Sequence, residues 1–307
     1  MKIKILNILG YDLKDSFKIV KVLVGFLIIF MIPLFNLLGI YLSMIFGFGT
    51  SSTLTVILEN FENFLYEINL VCFGGIIGPL FAGIYGAKSV IGYGVRVKII
   101  YSKPINRGDL IVSKLISFLA LAFIIIAASV IVYSIIYSIL FGINIFHYEM
   151  DIILPTIFLP IISIISSFAL AACLASIFKK QGATIAFAVI YFLFYPLMIY
   201  GIVILTIQMN LYTAMGQGNS IIWYGILVMI LCCLRLDFYY TNLINGIGRF
   251  NIISMRTNGQ LFSLTSMFNY NFAISIDALI SLIFLICFSV VMLILSISRL
   301  SLMDVID

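Results

Sequence analysis

Charged side chains make up only 9% of this 307-residue chain. A soluble domain carries about 25%, so a water-facing shell cannot be assembled from this material. Histidine occurs once, at His147 beside Glu149 and Asp151. A lone histidine reads as a surface residue rather than a catalytic metal site. No HExxH helix, phosphate-binding P-loop or nucleophile–base pair is visible, which argues against an enzyme and against nucleotide binding by this chain. The cysteines Cys72, Cys173, Cys232, Cys233 and Cys287 fall inside apolar stretches, without the spacing of a zinc site or disulfide framework. Also lacking is the apolar–polar alternation of outer-membrane strands.

What the chain has is uncharged length. Runs bordered by charges cover 22–46, 68–87, 115–143, 152–178, 183–234 and 278–298. About 20 apolar residues cross the hydrocarbon core as a helix, and a helix satisfies its own backbone in lipid. The expected fold is an all-α integral membrane protein, a single transmembrane domain over 1–307. Its spans are predicted at 22–46, 68–87, 115–143, 152–178, 183–208 and 278–298. The first run is too long for a cleaved signal peptide and lacks a small-x-small cleavage site, so it reads as a retained span.

Beyond 208 the chain turns polar, at Gln208-Met209-Asn210 and Gly216-Gln217-Gly218-Asn219. The apolar stretch that follows, 221–234, has 14 residues, a length more often re-entrant or interfacial than spanning. The expectation is six spans with a re-entrant extracellular element between the last two, which leaves Arg235, Arg249 and Arg256 outside. The alternative is seven spans. Upstream, Ile5, Leu9, Leu13 and Phe17 recur every four residues opposite Lys4, Asn7, Tyr11, Lys14 and Lys18. That pattern predicts an amphipathic interfacial helix over 1–20 on the cytoplasmic membrane surface.

The basic residues are grouped. Lys2, Lys4, Lys14, Lys18 and Lys21 open the chain; Lys88, Arg96, Lys98, Lys103, Arg107 and Lys114 lie between spans two and three; Lys179 and Lys180 follow span four. These are alternate loops, and the positive-inside rule makes them cytoplasmic. Glu59, Glu62, Glu67, Glu149 and Asp151 occupy the opposite loops. The expected location is the plasma membrane, multi-pass, with a cytoplasmic N-terminus.

Within the spans, Gly74, Gly78, Gly83 and Gly86 in span two, with Ala82 and Ala87, are small residues at fourfold spacing. That spacing lets helices approach closely, either as packing within one chain or as a moving contact. Pro33, Pro79 and Pro196 loosen the helical ladder and allow kinks. No run carries an ionisable residue at its middle, Asp277 lying at the outer edge of the last. An ion-coupled carrier normally needs intramembrane charges, so their lack favours a hydrophobic or amphipathic cargo.

The segment 88–114 carries six cations and one acid, Asp109. Pro104 breaks whatever helix precedes it, and a new helix can start near Gly108-Asp109, where the aspartate favours the positive end. Here Ser102-Lys103-Pro104-Ile105-Asn106-Arg107, followed by Lys114 and a long apolar run, resembles the Ser-x-Pro-[Ile/Val]-Ser-Arg…Lys signature of ABC-2 type permeases. These are the membrane subunits of one class of ATP-binding-cassette exporters. In that family the signature lies in the cytoplasmic loop between spans two and three, where a coupling helix meets the ATPase. The family's glutamates before Gly-Thr, upstream of the proline, are replaced here by Lys88, Gly92, Gly94 and Arg96.

The resemblance implies a permease subunit exporting a hydrophobic or amphipathic substrate, without a catalytic site or cofactor of its own. ATP and Mg would sit on a separate cytoplasmic ATPase subunit. Arg96, Lys98, Pro104, Arg107 and Lys114 would couple to that subunit, while Gly74, Gly78, Gly83 and Gly86 would form the helix-packing interface. The other implied partners are a second permease copy or homologue and the lipid bilayer, with no nucleic acid. The rival readings are an ion- or proton-coupled secondary carrier and a non-transporting membrane scaffold or assembly protein.

Overall fold

Proline and glycine punctuate a structure that is otherwise continuous helix. The computed structural model describes residues 54–91, 107–196, 235–246 and 276–301, with Met198 and ten scattered positions between Gly10 and Leu42. Among the described residues every regular element is helical. Helix α1 (Leu54–Ile68) passes through a π-wound segment, Asn69–Phe73, and a turn into α2 (Ile77–Ile91). Then come α3 (Arg107–Phe141), the short α4 (Ile145–Tyr148) and α5 (Met150–Phe178). Helix α6 (Gln181–Val189) runs into a second π segment, Ile190–Phe194; α7 (Leu236–Asn245) and α8 (Ile276–Ser301) follow.

Each π segment has a nearby proline. Pro79 sits in the first turn of α2, where its missing N–H breaks no helical bond. Pro196 stands two residues past the second π segment and withholds the donor that Phe192 would otherwise receive. Wider winding relieves such gaps. Helix α5 contains Pro155 and Pro160 yet stays helical for 29 residues.

Among the described residues four helices are long and apolar enough to cross a membrane: Val56–Val90, Gly108–Phe141, Met150–Phe178 and Asp277–Arg299. The shortest has 23 residues, about 35 Å at 1.5 Å per residue, against a core of about 30 Å. The chain is an all-helical, membrane-embedded, multi-pass protein. Three of these helices contain the expected spans 115–143, 152–178 and 278–298 within two residues at the least well matched end. The helix holding span 68–87 differs, because it starts 14 residues earlier, at Leu54. Glu59, Glu62 and Glu67 therefore stand on a helix rather than in a loop. At 35 residues the helix is about 52 Å long, so its first turns reach past the hydrocarbon and can carry acids.

The interhelical contacts fix direction. Tyr137 donates a 2.9 Å hydrogen bond to the Ile57 carbonyl, and the Phe64 and Tyr133 rings meet edge to face at 5.5 Å. Tyr85 stacks on Phe118 at 4.7 Å, so α3 runs antiparallel to the α1–α2 rod. The Ser166 and Ser289 hydroxyls lie 2.8 Å apart, and Phe284 stacks on Tyr239 of α7, next to the Tyr240 that, like Ser163 of α5, lies against Gly74. Helix α8 is therefore parallel to α5. The consequence is a bundle with charge polarity. Lys88, Arg107, Lys179, Lys180 and Arg299 gather at one end, and Glu59, Glu62, Glu67, Glu149, Asp151 and Asp277 at the other.

The interfacial helix 1–20 and span 22–46, apart from the scattered positions, lie outside the described residues. So do 92–106, 221–234 and most of 183–208 beyond Pro196.

Candidate functional site

Helix α7 takes part in a seam of buried polar side chains. This helix has ten residues, Leu236–Asn245, and an acid, Asp237, in its first turn, where the helix dipole favours it. Tyr240, completely buried, donates its hydroxyl hydrogen to Asn69 Oδ1, and its ring fills the space beside Gly74, where a Cβ would collide with it. Five residues on, Asn245 accepts a hydrogen bond from Tyr66. At the other end, the backbone of Leu236 hydrogen-bonds Tyr191, which also lies in the field of Arg235 and Asp237. Phe192, next to Tyr191, covers Gly83 with its ring 2.7 Å from where a Cβ would stand.

These contacts order α7 antiparallel to α1–α2. Its last turn is level with Tyr66, its middle with Asn69 and Gly74, and its first turn with the stretch between Gly74 and Gly83. That stretch belongs to the uncharged run 68–87. Arg235 stands directly before that turn. Its side chain is 6% exposed and that of Asp237 13%. The guanidinium donates through Nε to Asp237 Oδ1 at 2.9 Å and through a terminal nitrogen to Oδ2. A buried charge is tolerated when such a bidentate partner compensates it. The bundle thus holds a buried ion pair, although no run has a charge at its middle.

Both π segments face this helix. The first supplies Asn69 and the second Tyr191. Asn69 is fully buried, and its Nδ2 has no partner among the described residues. Beyond Tyr191, the Tyr191 and Tyr195 rings stack at 6.0 Å, and Tyr195 with Ile190, Phe194 and Met198 lines an open apolar groove. Among the described residues no group of three or more His, Cys, Asp or Glu could hold a metal ion.

Of the expected site residues, the glycines are described and the coupling residues only in part. Arg96, Lys98 and Pro104 lie outside the described residues. Arg107 opens α3, and Lys114 is buried two turns along it, with contacts of its own. The glycines split into two kinds. Gly83 admits Phe192 and Ala188 of α6, and Gly86 admits the Phe168 carbonyl of α5, 2.6 Å from where a Cβ would stand. Gly75 and Gly78 face the carbonyls of Leu70 and Phe73 on their own rod, so they serve the break after the π segment. Ser163 of α5 donates a 2.6 Å hydrogen bond to the Gly74 carbonyl at that break.

The residues of the polar seam were missed in the sequence because each looked ordinary alone. Asn69 is the one amide side chain in run 68–87, and Arg235-x-Asp237 sits at a run's border. Compared with known protein families the chain matches none, and compared with curated proteins it again matches none.

Proposed function

We propose that this chain is the membrane subunit of an ATP-binding-cassette exporter of the ABC-2 type, moving a hydrophobic or amphipathic substrate. The carrying observation is the basic segment between α2 and α3. It follows the Lys88 end of α2, contains Ser102-Lys103-Pro104-Ile105-Asn106-Arg107, and leads into α3 with Arg107 and Lys114. A basic segment with a proline in it, leading from Lys88 to Arg107, would offer a docking face for a soluble ATPase subunit. Closure of two such subunits would push on the 88–114 segment and, through α3, on the bundle. A six-span subunit in the plasma membrane, paired with a second copy or homologue and with the basic end cytoplasmic, is the arrangement that this reading requires.

The test replaces Arg107. Arg107→Glu should leave the protein inserted, because its place at the basic end requires no charge to enter lipid. Association with the ATPase should fall by about tenfold or more, since reversing a charge at a docking face costs a few kcal/mol. Full association and full ATP-driven transport by the variant would overturn the assignment of this loop.

One observation favours the second reading, an ion-coupled carrier: the Arg235–Asp237 pair buried in a bundle of membrane-length helices. Uptake or efflux driven by an ion gradient in vesicles lacking any ATPase would select that reading.

A further inference from the structure

Helix α7 is held by its side chains rather than by its length. Its ten residues make about three turns, and a helix so short does not persist in isolation. Toward α1 it is fastened by Tyr240 on Asn69 and by Tyr66 on Asn245. Toward α8 it is fastened by the Tyr239–Phe284 stack. Among the described elements α7 thus bridges α1 and α8 beside the break that follows the first π segment.

The fastening toward α1 is incomplete. The Asn69 amide is fully buried and offers both a donor and an acceptor. The Tyr240 hydroxyl engages the acceptor alone, and Nδ2 has no hydrogen-bond partner among the described residues. An enclosed donor without a partner carries its full desolvation cost, and such a group marks stored strain. The cost lasts as long as Tyr240 keeps the amide covered. The ring itself is seated at Gly74, in the space that a Cβ would take.

We propose that α7 is a releasable strap. Tyr240 leaves its seat, the bonds to Asn69 and Tyr66 part, and α7 unwinds from α1. Release opens the bundle between α1 and α8 as far as the Gly74 carbonyl, which the Ser163 hydroxyl of α5 holds at 2.6 Å. It also lets the Asn69 donor find water, so the open state regains what the closed state forfeits. The frame behind the strap stays in place, because Gly86 of α2 lies on the Phe168 carbonyl of α5 and Ser289 of α8 meets Ser166. Elements that move are drawn from the least stable part of a fold, and the strap is independent of the exporter reading.

The experiment is hydrogen exchange of the full chain in lipid nanodiscs, read by mass spectrometry on peptides from α5, α7 and α8. In wild type the α7 amides should exchange as one unit, ahead of those of α5 and α8. Tyr240→Phe leaves both polar atoms of the covered amide unpaired and should speed α7 exchange by about tenfold. Asn69→Leu combined with Tyr240→Phe removes every polar atom of the contact. Replacing both partners by apolar groups of similar shape can be stabilising, so α7 should then exchange more slowly than in wild type. A bond that only braces the fold predicts the opposite, a double variant faster than wild type. Gly74→Ala places a Cβ in the seat of the ring without touching a polar side chain. It should also speed α7 exchange, which keeps the strap testable if the double variant does not insert. Wild-type α7 protected as well as α5, a double variant as fast as Tyr240→Phe, or wild-type exchange in Gly74→Ala would each overturn the strap.

Discussion

Asn69 and Tyr240 show how a single hydrogen bond governs a helix junction in lipid. Asn69 is wholly enclosed, and its acceptor is satisfied by the Tyr240 hydroxyl. Tyr240→Phe keeps the ring against Gly74 and removes only that donor, so both polar atoms of the Asn69 amide would be left unpaired. The expected cost is about 1–3 kcal/mol, measured as a lower midpoint of thermal or denaturant unfolding in detergent. An unchanged midpoint would mean that another group takes over the amide. Gly86 tests close approach rather than polarity. Its missing side chain lets the Phe168 carbonyl in, and that is backbone, which cannot swing away. Gly86→Leu should therefore sharply reduce the yield of folded protein. Leu80→Ala trims a partly buried side chain and should be tolerated much better. Equal yields would mean that α2 and α5 can separate freely at this level.

Helix α7 makes the same case at the scale of an element. Ten residues form a helix too short to persist alone in water, so its order derives from what it touches. Tyr239 stacks on Phe284 of α8 with ring centroids 3.9 Å apart, while Tyr240 and Asn245 hold α1 and its π segment. Tyr239→Ala should loosen α7 from α8 and speed hydrogen exchange of the α7 amides, with those of α5 unchanged. Uniform protection in the variant would show that the stack contributes nothing. The same helix explains what could be read in the sequence. Runs 115–143, 152–178 and 278–298 announced α3, α5 and α8 because a membrane helix needs length without charge, and length is visible. Helix α1 was hidden because Glu59, Glu62 and Glu67 ended the run, although a helix longer than the bilayer can carry acids on its protruding turns. Helix α7 was hidden more deeply. Its Arg235 and Asp237 look like a loop when each is scored alone, and only their mutual compensation lets them enter the bundle. The glycines of span two were legible as a group, but the division between Gly83 and Gly86, which face other helices, and Gly75 and Gly78, which face their own rod, depends on a π segment with no sequence period.

For the whole molecule, the direction of α8 carries the most. Ser289 meets Ser166 of α5, and Phe284 stands at the level of Ser163 through Tyr239 and Gly74; the two helices are therefore parallel, which requires another crossing between Phe178 and Ile276. A parallel α8 ends on the side where α5 ends, beside Lys179 and Lys180. That parity favours the six-span arrangement, in which 221–234 and α7 enter and return on one side, over seven spans with the last helix reversed. It also matches the charge polarity, since Arg299 joins the basic end and Asp277 the acidic end. A single cysteine tests the point. In a background with the native cysteines replaced, Asp304→Cys lies just past α8. If the basic end is cytoplasmic, as the positive-inside rule requires, a membrane-impermeant maleimide should label it only after the cells are opened. A control cysteine at His147, exposed at the acidic end on α4, should label in intact cells. Labelling of both positions in intact cells would place the two ends of α8 on the opposite sides from those argued here and would sink the six-span arrangement, whereas the reciprocal pattern at the two sites would mean that the whole bundle is inverted.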